Sequence, residues 1–377
     1  MAKISCCIRL GEVPLHLYQI TSGFLLLNKY GIINLKVERL KRQDENILPY
    51  NMMEVIINDE FRIIYDVNDG YDNLLFNSSD YIEFMNEMLG NVDFYFKRSF
   101  SEKYNKKLKY RHKIYPLGLN YMVTVPGNVA HFPTFIDSSK EKLKKLVRML
   151  PLSQYYNGLY NIDSFEDIPT RDREPRILFM ARLWDTAGDS NIGISPLKKE
   201  ERTYINDLRV SCIRQCQKEF GEKFFGGISP SKFAIENFPD IVIQDKGITK
   251  RNNYIKQVKE SSICIATMGL HESVGWKFAE YIAASKAIVT EELHYELPGD
   301  FKNEKNFLLF KTPEQCIEQI YKLVNSEELR YQMMVNNFNY YHQYVRPDRL
   351  VLNSLLTVLN NGGIKLETDF NSIYTYI

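Results

Sequence analysis

The segment Arg176–Ala181 carries an unbroken apolar run, Ile177-Leu-Phe-Met-Ala181. A strand without polar alternation is buried on both faces, the habit of parallel sheets covered by helices. Similar segments recur after it, each followed by a helical pattern. A long helix is expected from about Lys198 to Phe220, short strands near Phe224 and Ile241, and a helix over Lys250–Glu260. Strands at Ile263–Ala266, Ala287–Thr290 and Phe307–Phe310 alternate with helices at Ser273–Ser285 and Pro313–Val324. Such alternation builds βαβ units and a Rossmann-like sheet. Helices at Glu327–Tyr344 and Arg349–Leu359 close the series.

The first half reads less uniformly. Strands are expected at Ile4–Ile8, Ile33–Val37, Met53–Ile57, Phe61–Val67 and Phe94–Phe96, with helices at Pro14–Tyr30 and Asp80–Leu89. Parallel units are implied, although the close pair at 53–67 also suits a hairpin. Tyr115–Tyr121 reads as a turn and Ser139–Leu150 as a basic helix. Residues 157–175, with Gly158, several acids and Pro169, read as a linker. With 377 residues, two domains are expected. They are an N-terminal Rossmann-like domain over 1–156 and a C-terminal one over 176–345. Residues 346–377 form a final helix and tail that pack back on the first.

Composition excludes several classes. Forty-eight Lys+Arg against 47 Asp+Glu disfavours a dedicated nucleic-acid binder. The six cysteines, Cys6, Cys7, Cys212, Cys216, Cys264 and Cys316, form no C-x-x-C pair. Reduced, buried thiols and no metal site are expected, since Cys212 and Cys216 lack a nearby second pair. No segment has the ~18–20 uninterrupted apolar residues of a membrane span, and the N-terminus lacks a signal-peptide core. The expected location is cytoplasmic.

The chemically informative stretch is Met268-Gly269-Leu-His271-Glu272-Ser273-Val274-Gly275-Trp-Lys277-Phe-Ala-Glu280. It follows a buried strand and opens a helix, where ligands of open α/β sheets bind and where backbone N–H groups favour phosphates. Gly269 and Gly275 let the backbone turn and approach a ligand. Glu272 at a helix mouth and Glu280 two turns along suit hydroxyl recognition. They equally suit an N-terminal cap and a solvated glutamate. His271 suits ligand contact or packing.

Glu272-Ser273-Val274-Gly275 with Glu280 resembles the paired-glutamate motif of retaining, group-1 GT-B glycosyltransferases. Three further segments match that family's pattern in order: Ile177–Leu183, Tyr115–Tyr121 and Glu291-Glu-Leu-His-Tyr-Glu296-Leu-Pro298. The resemblance implies an α/β protein of GT-B architecture, two Rossmann-like domains facing a central cleft. It implies that Glu280 binds the donor ribose and Glu272 the donor sugar. Gly269, His271, Ser273, Val274, Gly275 and Lys277 would surround the nucleotide sugar. Arg182 would stabilise the departing diphosphate without a metal or further cofactor. The lysine expected after Arg182 is missing, and Arg173, Arg176, Lys198 or Lys277 are its candidate substitutes. Ser273 stands where the family has glycine.

In the first half, Asp66, Asp69 and Asp72 follow a strand end, where Asp69 would meet an acceptor hydroxyl or merely shape the turn at Gly70. Arg98 and Gly11 are candidate acceptor or phosphate contacts. Trp184 suits either sugar stacking or core packing. Residues 97–113 hold eight Lys/Arg and one Glu. With the basic stretch 140–148, they suit an anionic membrane surface or a polyprenyl-diphosphate-linked acceptor, a solvated loop, or, least, RNA. The expected activity is sugar transfer from a nucleotide diphosphate sugar to a saccharide or lipid-linked saccharide, with retention, in bacterial surface polysaccharide synthesis. The alternatives are a nucleotide-sugar epimerase of the same architecture and a non-catalytic nucleotide- or membrane-binding scaffold.

Overall fold

The computed structural model describes residues 4–11, 13–40, 48–71, 78–131, 143, 160–172, 174–188, 194–245 and 247–363. The expected basic helix at 139–150, apart from Leu143, and Glu12, Asp72, Arg173 and the tail from 364 lie outside them.

Two sheets make up the molecule. The first runs β2-β1-β3-β4-β5-β6, from β1 (Ile4–Leu10), β2 (Ile33–Arg39), β3 (Met52–Ile57), β4 (Phe61–Asp66), β5 (Phe94–Lys97) and β6 (Ile114–Pro116). It is not wholly parallel: β3 runs antiparallel to both β1 and β4. The three-residue connection Asn58-Asp59-Glu60 is too short for a crossover, and Asn58 and Asp59 take positive φ of 54°. That is hairpin-turn geometry with residues that tolerate it. β6 begins where the sequence suggests only a turn.

The second sheet runs β11-β10-β9-β7-β8 and every pair is parallel. Its strands are β7 (Ile177–Ala181), β8 (Phe224–Ile228), β9 (Ile263–Ala266), β10 (Ala287–Thr290) and β11 (Leu308–Leu309). β7 is buried along its whole length, as its apolar run requires. The short strand expected near Ile241 reduces to a single parallel bridge, Val242 to Ile228, after a 3-10 turn over Pro239–Ile241.

Eight helices matter for the layers: α1 (Tyr18–Lys29), α2 (Ser78–Gly90), α3 (Pro196–Phe220), α4 (Arg251–Lys259), α5 (Trp276–Ala283), α6 (Pro313–Asn325), α7 (Glu327–Tyr340) and α8 (Pro347–Asn361). Ser195 caps α3 by accepting the Lys198 N–H, and Pro196 occupies the first turn. α8 belongs spatially to the first sheet: Val351, Leu355 and Val358 join the core of β1, β3 and α1. Gly23 makes this possible, since a Cβ there would strike the Pro347 carbonyl and Val351.

The return crossing is a π-helical turn, Tyr341–Val345. It is pinned by Arg346 Nε to Glu166 Oε1 at 2.8 Å, Tyr341 Oη to the same oxygen at 3.0 Å, and Gln19 Nε2 to the Val345 carbonyl at 2.7 Å.

Of the thiols, Cys212 and Cys216 on α3 meet Cys316 on α6, all three fully buried. Hydrogen bonding with those two thiols and burial push the Cys316 thiol well up. The third thiol, distant in sequence, is thus closer than the spacing suggests. Among the described residues, no group of three His, Cys, Asp or Glu side chains is placed to hold a metal ion, and no helix is long and apolar enough to cross a membrane.

Candidate functional site

A cleft of about 810 Å³ separates the two sheets at the carboxyl ends of β7 and β9. Both strands stop there because polar or glycine-bearing turns follow, Arg182 after β7 and Thr267-Met268-Gly269 after β9. Arg209, on the apolar stripe of α3 between Ile205 and Cys212, fastens these turns. Its guanidinium donates to Thr267 Oγ1 at 2.9 Å, the Arg182 carbonyl at 2.7 Å and the Met268 carbonyl at 2.9 Å. Burial pulls its pKa down to about 10. The Met268 N–H donates to Glu291 at 2.7 Å, and burial raises that carboxyl above its ordinary value.

The expected helix Ser273–Ser285 begins three residues late, at Trp276, with Gly275 as its N-cap. Leu270–Glu272 form a separate 3-10 turn in which His271 and Glu272 take left-handed φ of 60° and 55°. Glu272 is therefore not at the helix mouth. Its carboxylate is 54% exposed, sits 3.6 Å from His294 Nδ1 and does not line the cleft. His271 does line it, with its N–H held by Glu201 Oε1 at 2.5 Å and its carbonyl by Tyr295 Oη at 2.8 Å.

Glu280 does reach the cleft. It is 1% exposed and paired through Oε1 with Arg251, while Oε2 is buried without a protein partner. Arg251 Nε is likewise buried and unpartnered. An acceptor and a donor side by side fit a group that both donates and accepts, such as a diol.

Among the candidate substitutes for the missing lysine, Lys277 alone of those described lines the cleft. It donates to the Met180 carbonyl, and burial lowers its pKa to about 8. Arg176 pairs instead with Glu260 and Gln257, and Lys198 stays on α3 away from the cavity. Arg182 lies over the Trp184 ring at 3.9 Å, and both line the cleft.

The first half contributes His16, Asn51, Asn68, Asp69 and Arg98. Arg98 is buried and pairs with Asp69 while donating to the Val274 carbonyl across the cleft. Burial would raise the Asp69 carboxyl, but Arg98 and a hydrogen bond with Ser273 hold it below its ordinary value. Asp66 is not at the site: it is 1% exposed and bound by Lys97 Nζ at 2.8 Å and Tyr95 Oη at 2.7 Å. Its other oxygen accepts the Asn68 N–H at 2.9 Å, an Asx turn. Gly11 does not line the cleft.

His16 lines the cleft without any motif in the sequence to mark it. Its ring lies 4.6 Å from Trp276, its Nδ1 is buried without a partner, and burial followed by Arg98 lowers its pKa.

Five cations (Arg98, Arg182, Arg209, Arg251, Lys277) and two carboxylates (Asp69, Glu280) line the cavity, leaving +3. The basic segment divides differently. Lys97 and Arg98 are buried and paired, and Lys113 donates to the Leu89 and Val92 carbonyls. Lys103, Lys106, Lys107, Lys109 and Arg111 remain exposed.

No family model and no curated protein matches the sequence. Solved structures do. The chain is 14% identical to the C-terminal domain of LpcC, a glycosyl transferase group 1 family protein from Francisella tularensis, covering 49% of this chain and 97% of that one at a TM-score of 0.32. It is 10% identical to WaaG, a glycosyltransferase involved in lipopolysaccharide biosynthesis, covering 91% and 97% at 0.36. It is 13% identical to a S. aureus TarM variant solved with UDP, covering 78% and 50% at 0.41. The chain spans about half the length of TarM. All three likenesses are distant. In architecture the chain is mixed α/β, with two domains facing a cleft, and it resembles GT-B glycosyltransferases of group 1.

Proposed function

We propose that the chain is a glycosyltransferase that moves a sugar from a nucleoside diphosphate sugar to a saccharide or lipid-linked saccharide. The observation that carries this reading is the net +3 cavity at parallel-strand ends, in which a buried carboxylate oxygen of Glu280 has no protein partner. A diphosphate answers the positive charge, and a ribose diol answers Glu280 and Arg251. Arg182, Lys277 and the N-terminus of α5 would hold the diphosphate, each charged hydrogen bond being strengthened by the low dielectric. As the glycosyl–oxygen bond breaks, negative charge grows on the departing phosphate oxygen and these cations stabilise it. With protein cations in that place, the reaction needs no metal.

On the other wall, Asp69 is a weak base because Arg98 holds its pKa low. It would accept a hydrogen bond from an acceptor hydroxyl rather than take its proton. Retention is supported by the sequence resemblance, as is a role in bacterial surface polysaccharide synthesis. Glu272 stays outside the proposed nucleotide contacts. The exposed cations at 103–111 support peripheral contact with anionic lipid on the cytoplasmic face, an attraction of roughly 1 kcal/mol per basic residue near the surface.

The test is incubation with a panel of nucleotide sugars, with and without oligosaccharide and polyprenyl-diphosphate-linked acceptors. Acceptor-dependent release of nucleoside diphosphate is expected. Conversion of the donor without acceptor would make the chain an epimerase, and no turnover with retained binding would make it a scaffold.

A further inference from the structure

Contacts between the two halves cross the cleft, and Arg98 makes one of them, to Val274. It leaves the carboxyl end of β5 in the first sheet, and its two terminal nitrogens serve different halves. Nη1 pairs with Asp69 of its own half, and Nη2 donates to the Val274 carbonyl of the other. Asp69 in turn is hydrogen-bonded with Ser273. One guanidinium–carboxylate pair thus grips residues 273 and 274, immediately before the Gly275 N-cap of α5.

Within its own half the turn is held by two main-chain bonds and, at His271, by Glu201 and Tyr295. Within Gly269–Ser273 the main chain closes on itself through Gly269 N–H to the Ser273 carbonyl at 2.9 Å and Ser273 N–H to the Leu270 carbonyl at 3.3 Å. Two consecutive non-glycine residues, His271 and Glu272, are left-handed, a costly arrangement that persists only when surroundings enforce it. The first half supplies part of that enforcement. Gly70 lies against His271, where a Cβ would come within 3.0 Å of the His271 Cβ. Alongside, the Glu296 N–H donates to the Phe100 carbonyl at 2.9 Å and the Glu102 N–H to Glu296 Oε1 at 2.9 Å.

We propose that Arg98 is a positioning residue that sets the Leu270–Gly275 turn, so that the turn adopts its diphosphate-holding form only while the two halves are in contact. This deepens the nucleoside diphosphate reading and rests on it. The donor's reactive end would then be fixed only when the acceptor-bearing half is docked, which guards it against water. A planar fork is needed for two acceptors at fixed separation, which an ammonium does not reproduce.

Two measurements on the full chain test this. The first is small-angle scattering without ligand. Arg98→Ala and Arg98→Lys should both give a larger radius of gyration than the wild type. The second is calorimetry with UDP, GDP and ADP and with their monophosphates. Both variants should bind the best diphosphate at least ~tenfold more weakly, the loss of charged hydrogen bonds. Their monophosphate affinity should stay within about twofold of wild type.

An unchanged radius with unchanged diphosphate affinity overturns the proposal. So does an equal loss for mono- and diphosphates, which signals general damage, or wild-type behaviour of Arg98→Lys. If the wild type binds no nucleotide at all, the nucleotide reading fails. The scattering result then still decides whether Arg98 holds the halves together.

Discussion

The two walls of the cleft are built for different tasks. The second-half wall holds Arg182, Arg209, Arg251, Lys277 and Glu280, four cations against one carboxylate. The first-half wall holds His16, Asn51, Asn68 and a mutually paired Asp69 and Arg98, so its charge cancels. One wall suits a polyanion and the other suits neutral hydroxyls. The acids of the two halves differ in the same way. Asp66 is spent on the buried Lys97–Tyr95 network, whereas Glu280 keeps an oxygen unspent.

The strongest way to break this contrast is Asp66→Ala. Leaving Lys97 buried and unpaired should cost about 3–5 kcal/mol in denaturant unfolding. A loss below about 1 kcal/mol would mean that the first-half acid is not structural.

Next comes Arg182→Ala, which should lower kcat by about 10²–10³. Because that side chain is exposed, stability should shift by no more than about 0.5 kcal/mol. Full turnover would remove Arg182 from the anion-holding wall.

Lys277 sharpens the contrast through pH. Burial lowers its pKa to about 8, so it is charged below that value and neutral above. Nucleoside diphosphate affinity should be full below pH 8 and fall roughly tenfold as the pH rises through the next unit or two. Stability without ligand should move oppositely, rising from about pH 8 towards 10.5, because folding opposes Lys277 protonation. A flat affinity profile, or the same profile in Lys277→Met, would contradict this assignment.

The smallest effect is expected from Glu272→Gln. With its carboxylate half exposed beside His294, nucleoside diphosphate affinity should change less than about twofold. A tenfold loss would bring Glu272 back into the nucleotide site.

The second sheet is legible because burial on both faces leaves a mark in composition: β7 and β9 are apolar throughout, and β10 is apolar up to its last residue, Thr290. The antiparallel β3 was open to either reading, since strand direction depends on the length of a connection rather than on the strand. The start of α5 is displaced from Ser273 because Asp69 bonds Ser273 and Arg98 holds the adjoining Val274 carbonyl, and Ser273 stays extended.

At the site, Glu280 and Lys277 were found through motif and position. Arg209 left one signal, a cation on the apolar face of α3. His16 and Arg251 left none, because each matters only through a partner brought from elsewhere in the chain, Trp276 and Glu280. The run of cations at 97–113 looked like one patch, but a linear charge sum does not separate Lys97 and Arg98, which fold inward, from the five that face solvent.

The cleft is proposed to hold a nucleoside diphosphate through its second-half wall. Titration calorimetry of the wild type and Glu280→Gln against UDP, GDP and ADP tests it most directly. Saturable binding of at least one of these by the wild type is expected, weakened at least ~tenfold when the Glu280 carboxylate, with its unpartnered Oε2, becomes an amide. Equal affinity in both proteins, or no binding of any of the three, would contradict it.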